Sequence, residues 1–217
     1  MDKFSSFKKS LEDALIRSKR EREEITVIAV SKKKSIEDIK PIINAGHIDF
    51  GENKFQEIES KWPTLKNLNK NVRIHYVGSI QSKKTKQIFE HCDVIHSIDR
   101  LKIVHIIKDL ELENKVQKEY FIQINTGDEE QKSGVKLNDA EKFISDSFEK
   151  YQFKISGLMC LPPINDKPEK HFNTLRGLAE NFKIPYLSMG MSNDFELALM
   201  CGATHIRVGT LIFGERN

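Results

Sequence analysis

Short apolar runs, rich in valine, isoleucine and phenylalanine, alternate with longer polar stretches from residue 25 to the C-terminus. An apolar run of about four to eight residues between polar flanks is typical of a buried β-strand. Eight runs fit that description, at residues 25–30, 47–51, 73–78, 94–98, 120–125, 154–161, 186–189 and 205–209. The pattern therefore predicts eight strands separated by polar segments.

The polar segments carry apolar residues at steps of three and four, which places those residues on one face of an α-helix. Seven helices are predicted between the strands, at residues 36–44, 54–62, 83–92, 100–115, 139–151, 169–182 and 195–201. A further amphipathic helix is predicted before the first strand, over residues 2–24, where Phe4, Phe7 and Leu11 begin the same spacing. Strands and helices thus alternate along nearly the whole chain.

Eight strand–helix units predict an α/β fold, a (β/α)8 TIM barrel with an extra N-terminal helix. The segment from the first to the last strand gives roughly 23 residues per unit, enough for a strand, a three-turn helix and two short loops. No linker interrupts the pattern, so residues 1–217 are predicted to form a single domain. The alternative is an open doubly wound sheet, which would gather its unusual residues at one switch point.

The composition predicts a globular protein and excludes several classes. The 217 residues are 38% hydrophobic and 31% charged, and their net charge is only +3. This charge is too weak to indicate a polyanionic partner, so no nucleic acid is expected. No apolar stretch approaches the roughly 18 residues of a membrane span, and the first residues are too charged for a secretory signal. A cytoplasmic protein with no membrane partner is therefore predicted.

Several common reactive motifs are absent from the sequence. Cys92, Cys160 and Cys201 have no CxxC spacing, which indicates reduced thiols and neither a disulfide framework nor a zinc site. No HExxH, GxSxG or Walker motif occurs. No metal site is predicted, and the common zinc-protease, serine-hydrolase and P-loop classes are excluded.

Polar and glycine residues follow nearly every predicted strand. Lys32 follows the first strand, Asn53 the second and Ser192 the seventh. Barrels place their functional sites at the carboxyl ends of many strands, so this distribution favours the barrel over the open sheet. The site is predicted at that face.

Two glycine–hydroxyl corners predict a phosphate site. After the seventh strand, Gly190 permits a sharp turn, and Ser192 and Asn193 lie where the next helix begins, with Glu196 placed to complete an N-x-x-E capping box with Asn193. After the neighbouring eighth strand come Gly209 and Thr210. Helix N-termini at this face of a barrel are typical phosphate sites. Ordinary helix capping with a turn glycine is the alternative.

Only Ser31 separates Lys32 from the apolar strand ITVIAV, so its amine could lie over the barrel mouth. A lysine in that place can attack an aldehyde to form a Schiff base. Because Lys33 and Lys34 follow it, the alternative is a solvated surface charge. The sequence leaves both interpretations open.

Arg207 lies two residues before Gly209, so both should face the barrel interior. A guanidinium there requires an acid or an acceptor to offset its loss of hydration. Either it forms a buried ion pair with Glu52 or Asp99, or it donates a hydrogen bond to a ring nitrogen of a ligand. His75, in the third strand, could also face the interior.

A set of motifs in one order extends from residue 25 to the end of the chain: IAVSK, FGEN, HYVGSIQSKK, HSIDR, IQIN, KSGV, GLMCL, LSMGMSND and IRVGTLIFGER. Together they resemble the pyridoxal phosphate homeostasis protein family. The resemblance implies a single barrel similar to the alanine racemase N-terminal domain. It implies a cytoplasmic, monomeric protein that binds pyridoxal 5′-phosphate (PLP), has no established enzymatic activity and buffers the cofactor or delivers it to PLP-dependent apoenzymes.

The resemblance also implies roles for individual residues. Lys32 would hold the cofactor as a reversible aldimine, Asn53 would lie near it, and Arg207 would face the pyridine nitrogen. The residues implied in the phosphate cradle and its motif are Met189, Gly190, Ser192, Gly209 and Thr210. The chain departs from the family pattern at Lys83, where asparagine is usual, and at Lys54, where tyrosine is common.

The alternative function is a PLP-dependent amino-acid racemase. An arginine at the ring nitrogen leaves the pyridine unprotonated, so the ring delocalises a carbanion poorly. Racemisation also requires a second acid or base on the opposite face of the substrate, which alanine racemases take from another domain. No such domain is expected in this chain, so a binding protein is favoured. A barrel enzyme that acts on a sugar phosphate is a weaker third possibility.

Overall fold

The computed structural model describes residues 2–215, and its strands close into a parallel barrel. The strands are β1 (Thr26–Val30), β2 (Asp49–Glu52), β3 (Arg73–Tyr76), β4 (Val94–Ile98), β5 (Glu119–Asn125), β6 (Val135–Lys136), β7 (Gly157–Cys160), β8 (Tyr186–Met191) and β9 (His205–Val208). The order around the barrel is β1, β2, β3, β4, β5, β7, β8 and β9, and β9 pairs with β1 in parallel. The two-residue β6 is an addition that pairs only with the edge of β5. The predicted eight-stranded barrel is confirmed, and the open sheet is wrong.

Helices follow the strands and cover the outside of the barrel. They are α1 (Lys3–Ser18), α2 (Ile36–Asn44), α3 (Phe55–Lys66), α4 (Thr85–His91), α5 (Leu101–Asn114), α6 (Leu137–Tyr151), α7 (Pro168–Asn181), α8 (Phe195–Met200) and α9 (Thr210–Phe213). The predicted helices are present, and α9 is a short addition after the last strand. The single domain predicted over residues 1–217 remains a prediction, since Met1 and residues 216–217 lie outside the described part.

The N-terminal helix is shorter than predicted. It ends at Ser18, and Lys19 adopts a left-handed conformation with φ of 54°. Residues 17–24 contain no apolar side chain, so a longer helix would have nothing to bury there. The apolar face that does exist is buried, and α1 packs against α8 and α9. An extra N-terminal helix is therefore confirmed, with an earlier end.

The interior of the barrel is unusually polar. Between strands and helices lies a large apolar core, whereas the apolar cluster inside the barrel consists of Val94, Phe121 and Met159. Beside this cluster, five further side chains are buried: His75, His96, Ser188, His205 and Arg207. Since buried polar groups require hydrogen-bond partners, these residues must satisfy one another or a ligand.

No helix within residues 2–215 has the length and apolarity needed to cross a membrane.

Candidate functional site

A cavity of about 500 Å³ opens at the carboxyl ends of the strands. This volume suits a small organic ligand, since such pockets typically measure about 300–1,000 Å³. Its walls come from the ends of β1, β2 and β9 and from the loops after β7 and β8. The lining residues include Val30, Lys32, Lys34, Asn53, Val77, Leu161, Pro162, Pro163, Ile164, Ser192, Asp194, Arg207, Gly209 and Thr210. The site thus lies at the face predicted from the sequence.

Most of the predicted site residues come together in this cavity. Those that line it are Lys32, Asn53, Ser192, Arg207, Gly209 and Thr210. Met189 and Gly190 lie behind its wall. Met189 is completely buried in the core, and a Cβ added to Gly190 would lie 2.5 Å from the Cβ of Ala198. Gly190, with φ of 88°, therefore allows β8 to pack closely against α8.

The loop at residues 161–164 also lines the cavity, although the sequence pattern did not predict a role for it in the site. Its two consecutive prolines, Pro162 and Pro163, are a local signal of a stiff, non-helical turn directly after a strand. That signal marks a loop but does not show which way the loop folds.

Lys32 lies at the end of β1, in a tight turn. Lys34 N donates to the Ser31 carbonyl at 3.0 Å, and Lys33 is left-handed with φ of 60°. The Lys34 amine donates to the Glu215 carbonyl at 2.9 Å. By contrast, the half-buried Lys32 amine has no hydrogen bond or ion pair with any of residues 2–215. Lys32 is therefore the lysine of the turn that is available to a ligand.

A buried ion pair supports this turn from below. Lys61 lies 2.7 Å from the Glu52 carboxylate and donates to the carbonyls of Ser31 at 3.1 Å and Lys34 at 3.4 Å. Glu57 accepts from the Lys33 N–H at 2.6 Å and from Lys61 at 2.9 Å. Both ends of the Lys32 turn are thus tied to one buried charge cluster, which no local sequence pattern predicts.

Burial raises the pKa of the Glu52 carboxyl, while the nearby Lys61 charge and the hydrogen bonds from Lys61 and Ser31 oppose that rise. Ser31 donates to Glu52 Oε1 at 2.7 Å, and the Trp62 indole donates to the same oxygen at 3.2 Å. The Lys61 charge therefore offsets part of the free-energy cost of burying the Glu52 carboxylate.

Arg207 is buried in the barrel and lines the floor of the cavity. Its Nη1 donates to Ser188 Oγ at 2.7 Å and its Nη2 to the Cys160 carbonyl at 2.8 Å. The proposed ion pair with Glu52 or Asp99 is wrong, because Glu52 pairs with Lys61 and Asp99 with Arg100.

No carboxylate among residues 2–215 forms an ion pair with Arg207. Burial lowers the pKa of the guanidinium, although arginine remains protonated in proteins. Two of its five N–H groups can make the bonds to Ser188 and Cys160, so others remain for a ligand. A buried, unpaired cation at the floor of a cavity favours a ligand with a hydrogen-bond acceptor at that point.

The two predicted corners meet at one side of the cavity. Gly209 N donates to Ser192 Oγ at 3.3 Å, and α9 begins at the next residue, Thr210. The first N–H groups of a helix have no partner within the helix, so both hydroxyls and backbone donors are available here. Hydroxyl and N–H donors of this kind suit a phosphate.

The predicted capping box at the start of α8 is wrong. The helix begins after Asp194, whose carboxylate accepts from the Met191 N–H at 2.5 Å. Glu196 instead reaches α1, where it pairs with Arg17 at 2.6 Å. Because α1 packs on α8, Glu196 pairs across that contact and does not cap its own helix, whereas the local spacing had predicted that cap.

Asn53 contributes an unsatisfied polar atom to the cavity. Its Oδ1 is buried and has no hydrogen-bond partner within the described part of the chain. The backbone of Asn53 is held against Gly78, where an added Cβ would lie 1.9 Å from the Asn53 carbonyl oxygen. An orphaned buried oxygen facing a cavity is expected to find its partner in a ligand.

The arrangement defines a class of protein. It is a TIM barrel with an available lysine amine after the first strand, a buried arginine from the last strand, and phosphate-type donors after the last two strands. Similarity to known proteins agrees with this class. The family model for the alanine racemase N-terminal domain matches residues 14–217.

Curated relatives are named more specifically. The chain is 36% identical to the pyridoxal phosphate homeostasis protein of Aquifex aeolicus over 200 residues, which cover 88% of this chain and 87% of the relative. It is 36% identical to the protein of that name from Escherichia coli over 213 residues, which cover 94% of this chain and 91% of the relative. The chain belongs to the family of pyridoxal phosphate homeostasis proteins.

Solved structures show the same fold. PipY from Synechococcus elongatus superposes with a TM-score of 0.83 without PLP and 0.81 with PLP bound. The identities are 31% and 30%, and each comparison covers 93% of this chain and 97% of PipY. Alanine racemase from Corynebacterium glutamicum, at 16% identity and a TM-score of 0.68, shows the fold alone. This chain covers 61% of that enzyme.

Proposed function

We propose that this protein binds pyridoxal 5′-phosphate in the cavity at the carboxyl ends of the strands, with Lys32 as the covalent attachment point. The observation that carries the proposal is the buried Arg207, which has no ion-pair partner in residues 2–215 and lies in the same cavity as the available Lys32 amine. The PLP-bound structure of the relative PipY supports the choice of ligand.

The residues of the cavity fit the cofactor group by group. Arg207 would donate to the pyridine nitrogen, and Ser192, Gly209 and Thr210 would bind the phosphate. The orphaned Asn53 Oδ1 would accept a hydrogen bond from the ring substituents or from ordered water. When bound, the cofactor supplies an aldehyde, with which a lysine amine condenses reversibly with loss of water. Met189 and Gly190 would act indirectly, by shaping the end of β8.

The experiment is an absorption spectrum of the purified full chain with added cofactor, followed by borohydride reduction and peptide mass mapping. We expect a new absorption band and a reduced adduct on Lys32. Lys32→Ala should lose both. Lys33→Ala removes the same charge from an exposed neighbour in the same turn and should keep both. An adduct on another lysine, or no band in the unchanged protein, would overturn the proposal.

We further propose that the protein holds the cofactor without turning over an amino acid. No tyrosine lines the cavity among the residues that the structure describes, so no phenol there could act as a second acid or base. An arginine at the ring nitrogen also makes the cofactor a weak electron sink. Deuterium exchange at the α-carbon of alanine in D₂O should stay at the rate of free cofactor. Fast exchange that Lys32→Ala abolishes would make the racemase the better assignment.

A holding protein would buffer the free aldehyde or deliver it to PLP-dependent apoenzymes. Direct delivery predicts that the holoprotein activates an apoenzyme even when a trap for free aldehyde is in excess. Loss of activation in the presence of the trap would leave buffering as the function. That the protein is a cytoplasmic monomer also remains a prediction, which cell fractionation and sedimentation check.

A further inference from the structure

A continuous chain of hydrogen bonds crosses the inside of the barrel. It runs from Asp49 at the start of β2, through His75 in β3, His96 in β4 and Ser188 in β8, to Arg207 in β9. The successive donor–acceptor distances are 2.9, 3.0, 3.0 and 2.7 Å. Four of the five residues are buried, and the Asp49 side chain is only 15% exposed. The chain therefore joins the amino-terminal end of the barrel to the cavity floor.

The side chains around this hydrogen-bond chain hold it in place. The His96 ring stacks on Phe121, with centroids 4.2 Å apart and an interplanar angle of 14°. The His205 ring is 6.0 Å from the His96 ring. At the amino-terminal end, Arg73 Nη1 lies 3.5 Å from Asp49 Oδ1. Each link is thus enclosed by protein, where hydrogen bonds are electrostatically stronger than in water.

The chemistry of the two ends determines the direction of every link. Arginine has only donors, so Ser188 Oγ must accept from Arg207. The Ser188 hydroxyl proton then has one acceptor within residues 2–215, which is His96 Nδ1. Burial, and after it the nearby cations, hold the pKa of His96 well below its usual range, so its ring carries a single proton. That proton must be on Nε2, which donates to His75 Nδ1.

His75 in turn donates from Nε2 to Asp49. Burial acts to raise the pKa of Asp49, but the hydrogen bond from His75 and the positive charges around the carboxylate, Arg73 among them, outweigh burial and leave that pKa below the ordinary value. An ionised carboxylate accepts hydrogen bonds and does not donate them. All four links therefore run in one direction, from the Arg207 guanidinium to the Asp49 carboxylate.

We propose that Ser188, His96, His75 and Asp49 are positioning residues for Arg207, and that Asp49 is its counter-charge, acting across the barrel through the three side chains between them. The inference rests on the proposed function, because the purpose of the chain is to hold the guanidinium where it meets the ring nitrogen of the cofactor. The Cys160 carbonyl fixes the other arm of the guanidinium. If these residues only stabilised the fold, the effects of their substitutions on PLP binding would not depend on one another.

The first test uses the whole protein without cofactor, with ¹⁵N-labelled histidine. At neutral pH we expect both His75 and His96 to be neutral, each with its proton on Nε2. A proton on Nδ1 of His96, or two protons on His75, would reverse a link and overturn the proposal. This arm does not depend on PLP binding, so it stands even if the proposed function fails.

The second test measures the affinity for PLP by titration. Ser188→Ala removes the acceptor of Arg207 and should weaken binding about tenfold. The matched control is Ser147→Ala, which deletes an equally buried hydroxyl in α6 that donates only to the Phe143 carbonyl, at 2.7 Å. We expect no change in affinity for the control. Equal affinities for the two variants would overturn the proposal, whereas a wild type that does not bind PLP would overturn the proposed function instead.

A double-mutant cycle then tests the distant end. Asp49→Asn should weaken binding roughly three- to tenfold. His96→Asn keeps an oxygen near Ser188 but removes the link to His75, so in that background Asp49→Asn should have no further effect. If His96→Asn does not fold, Ser188→Ala serves as the background with the same expectation. Independent, multiplying effects of the two substitutions would show that Asp49 does not act through the chain.

Discussion

Lys61 carries a positive charge into the wall of the barrel, 2.7 Å from the Glu52 carboxylate. Removing one partner of a buried ion pair leaves the other charge without compensation. The resulting loss of stability is much larger than any stability that the intact pair adds over two apolar side chains. Here the cost extends to the site, because Lys61 also binds the carbonyls of Ser31 and Lys34 on either side of Lys32. Stability and the position of the reactive amine therefore depend on the same residue.

Lys61→Met should lower the free energy of unfolding by about 3–5 kcal/mol, because it leaves the buried Glu52 carboxylate unpaired. Urea unfolding followed by circular dichroism measures the change. The double variant Glu52→Gln with Lys61→Met should recover most of the loss. The control is Lys150→Met, which removes an exposed lysine, 61% accessible, from its pair with Asp146 and should have a much smaller effect. A small effect of Lys61→Met alone would contradict this account of the cluster.

Helix α1 matters to the site even though it does not reach the cavity. It packs on α8 and α9, the two short helices that begin beside Ser192 and Thr210. The Phe7 ring meets the Phe195 ring of α8 edge-on at 5.7 Å, and Arg17 pairs with Glu196. Helices of four and six residues are marginal alone, so tertiary packing must hold their N-termini in place.

Phe7→Ala should destabilise the fold by about 3–5 kcal/mol through the cavity that it leaves under α1. It should also weaken PLP binding, because the start of α8 loses its support. Ile16→Ala is the control, since Ile16 is on the same helix but 77% exposed. Thermal unfolding and PLP titration of both variants give the two readouts. A destabilised Phe7→Ala protein with unchanged affinity would show that α1 does not support the site.

At the scale of the whole molecule, closure of the barrel creates a polar interior at a cost in acid stability. Burial, together with the nearby cations, lowers the pKa of His205 to about 3 and holds that of His96 well below its usual range. In the unfolded chain both histidines bind a proton below about pH 6.5. Between that pH and pH 3, the unfolded state therefore binds more protons than the folded state, and stability falls as the pH is lowered.

The expected dependence is a loss of about 1.4 kcal/mol per pH unit for each of these two histidines, once the pH is well below 6.5. Urea midpoints at pH 7, 6 and 5 measure it. His205→Gln should reduce the slope by about 1.4 kcal/mol per pH unit, because one buried histidine no longer contributes. A slope that His205→Gln leaves intact would contradict the assignment of His205 as neutral in the folded protein.

Local patterns in the sequence were sufficient to predict the helices, the strands and part of the site. The period of apolar residues is a property of neighbouring positions, so the strands and helices could be predicted within a few residues. A residue just after a predicted strand lies at the carboxyl face of any barrel, which is why Lys32 and Asn53 were found together in the cavity. Arg207 was found through the alternation of side chains along the last strand, which turns it toward the interior. The motifs and their order along the chain were sufficient to predict the protein family.

The tertiary structure decided which polar groups are partners. Glu196 was expected to cap its own helix and instead pairs with Arg17, 179 residues away. His96 and Ser188, whose hydrogen bond joins the two halves of the barrel, are 92 residues apart. Such pairs carry no local signal, because only the closure of β1 on β9 and of β4 on β5 brings them to hydrogen-bonding distance. The sequence by itself determined which side chains reach the barrel and its mouth; closure of the sheet decided what each one touches.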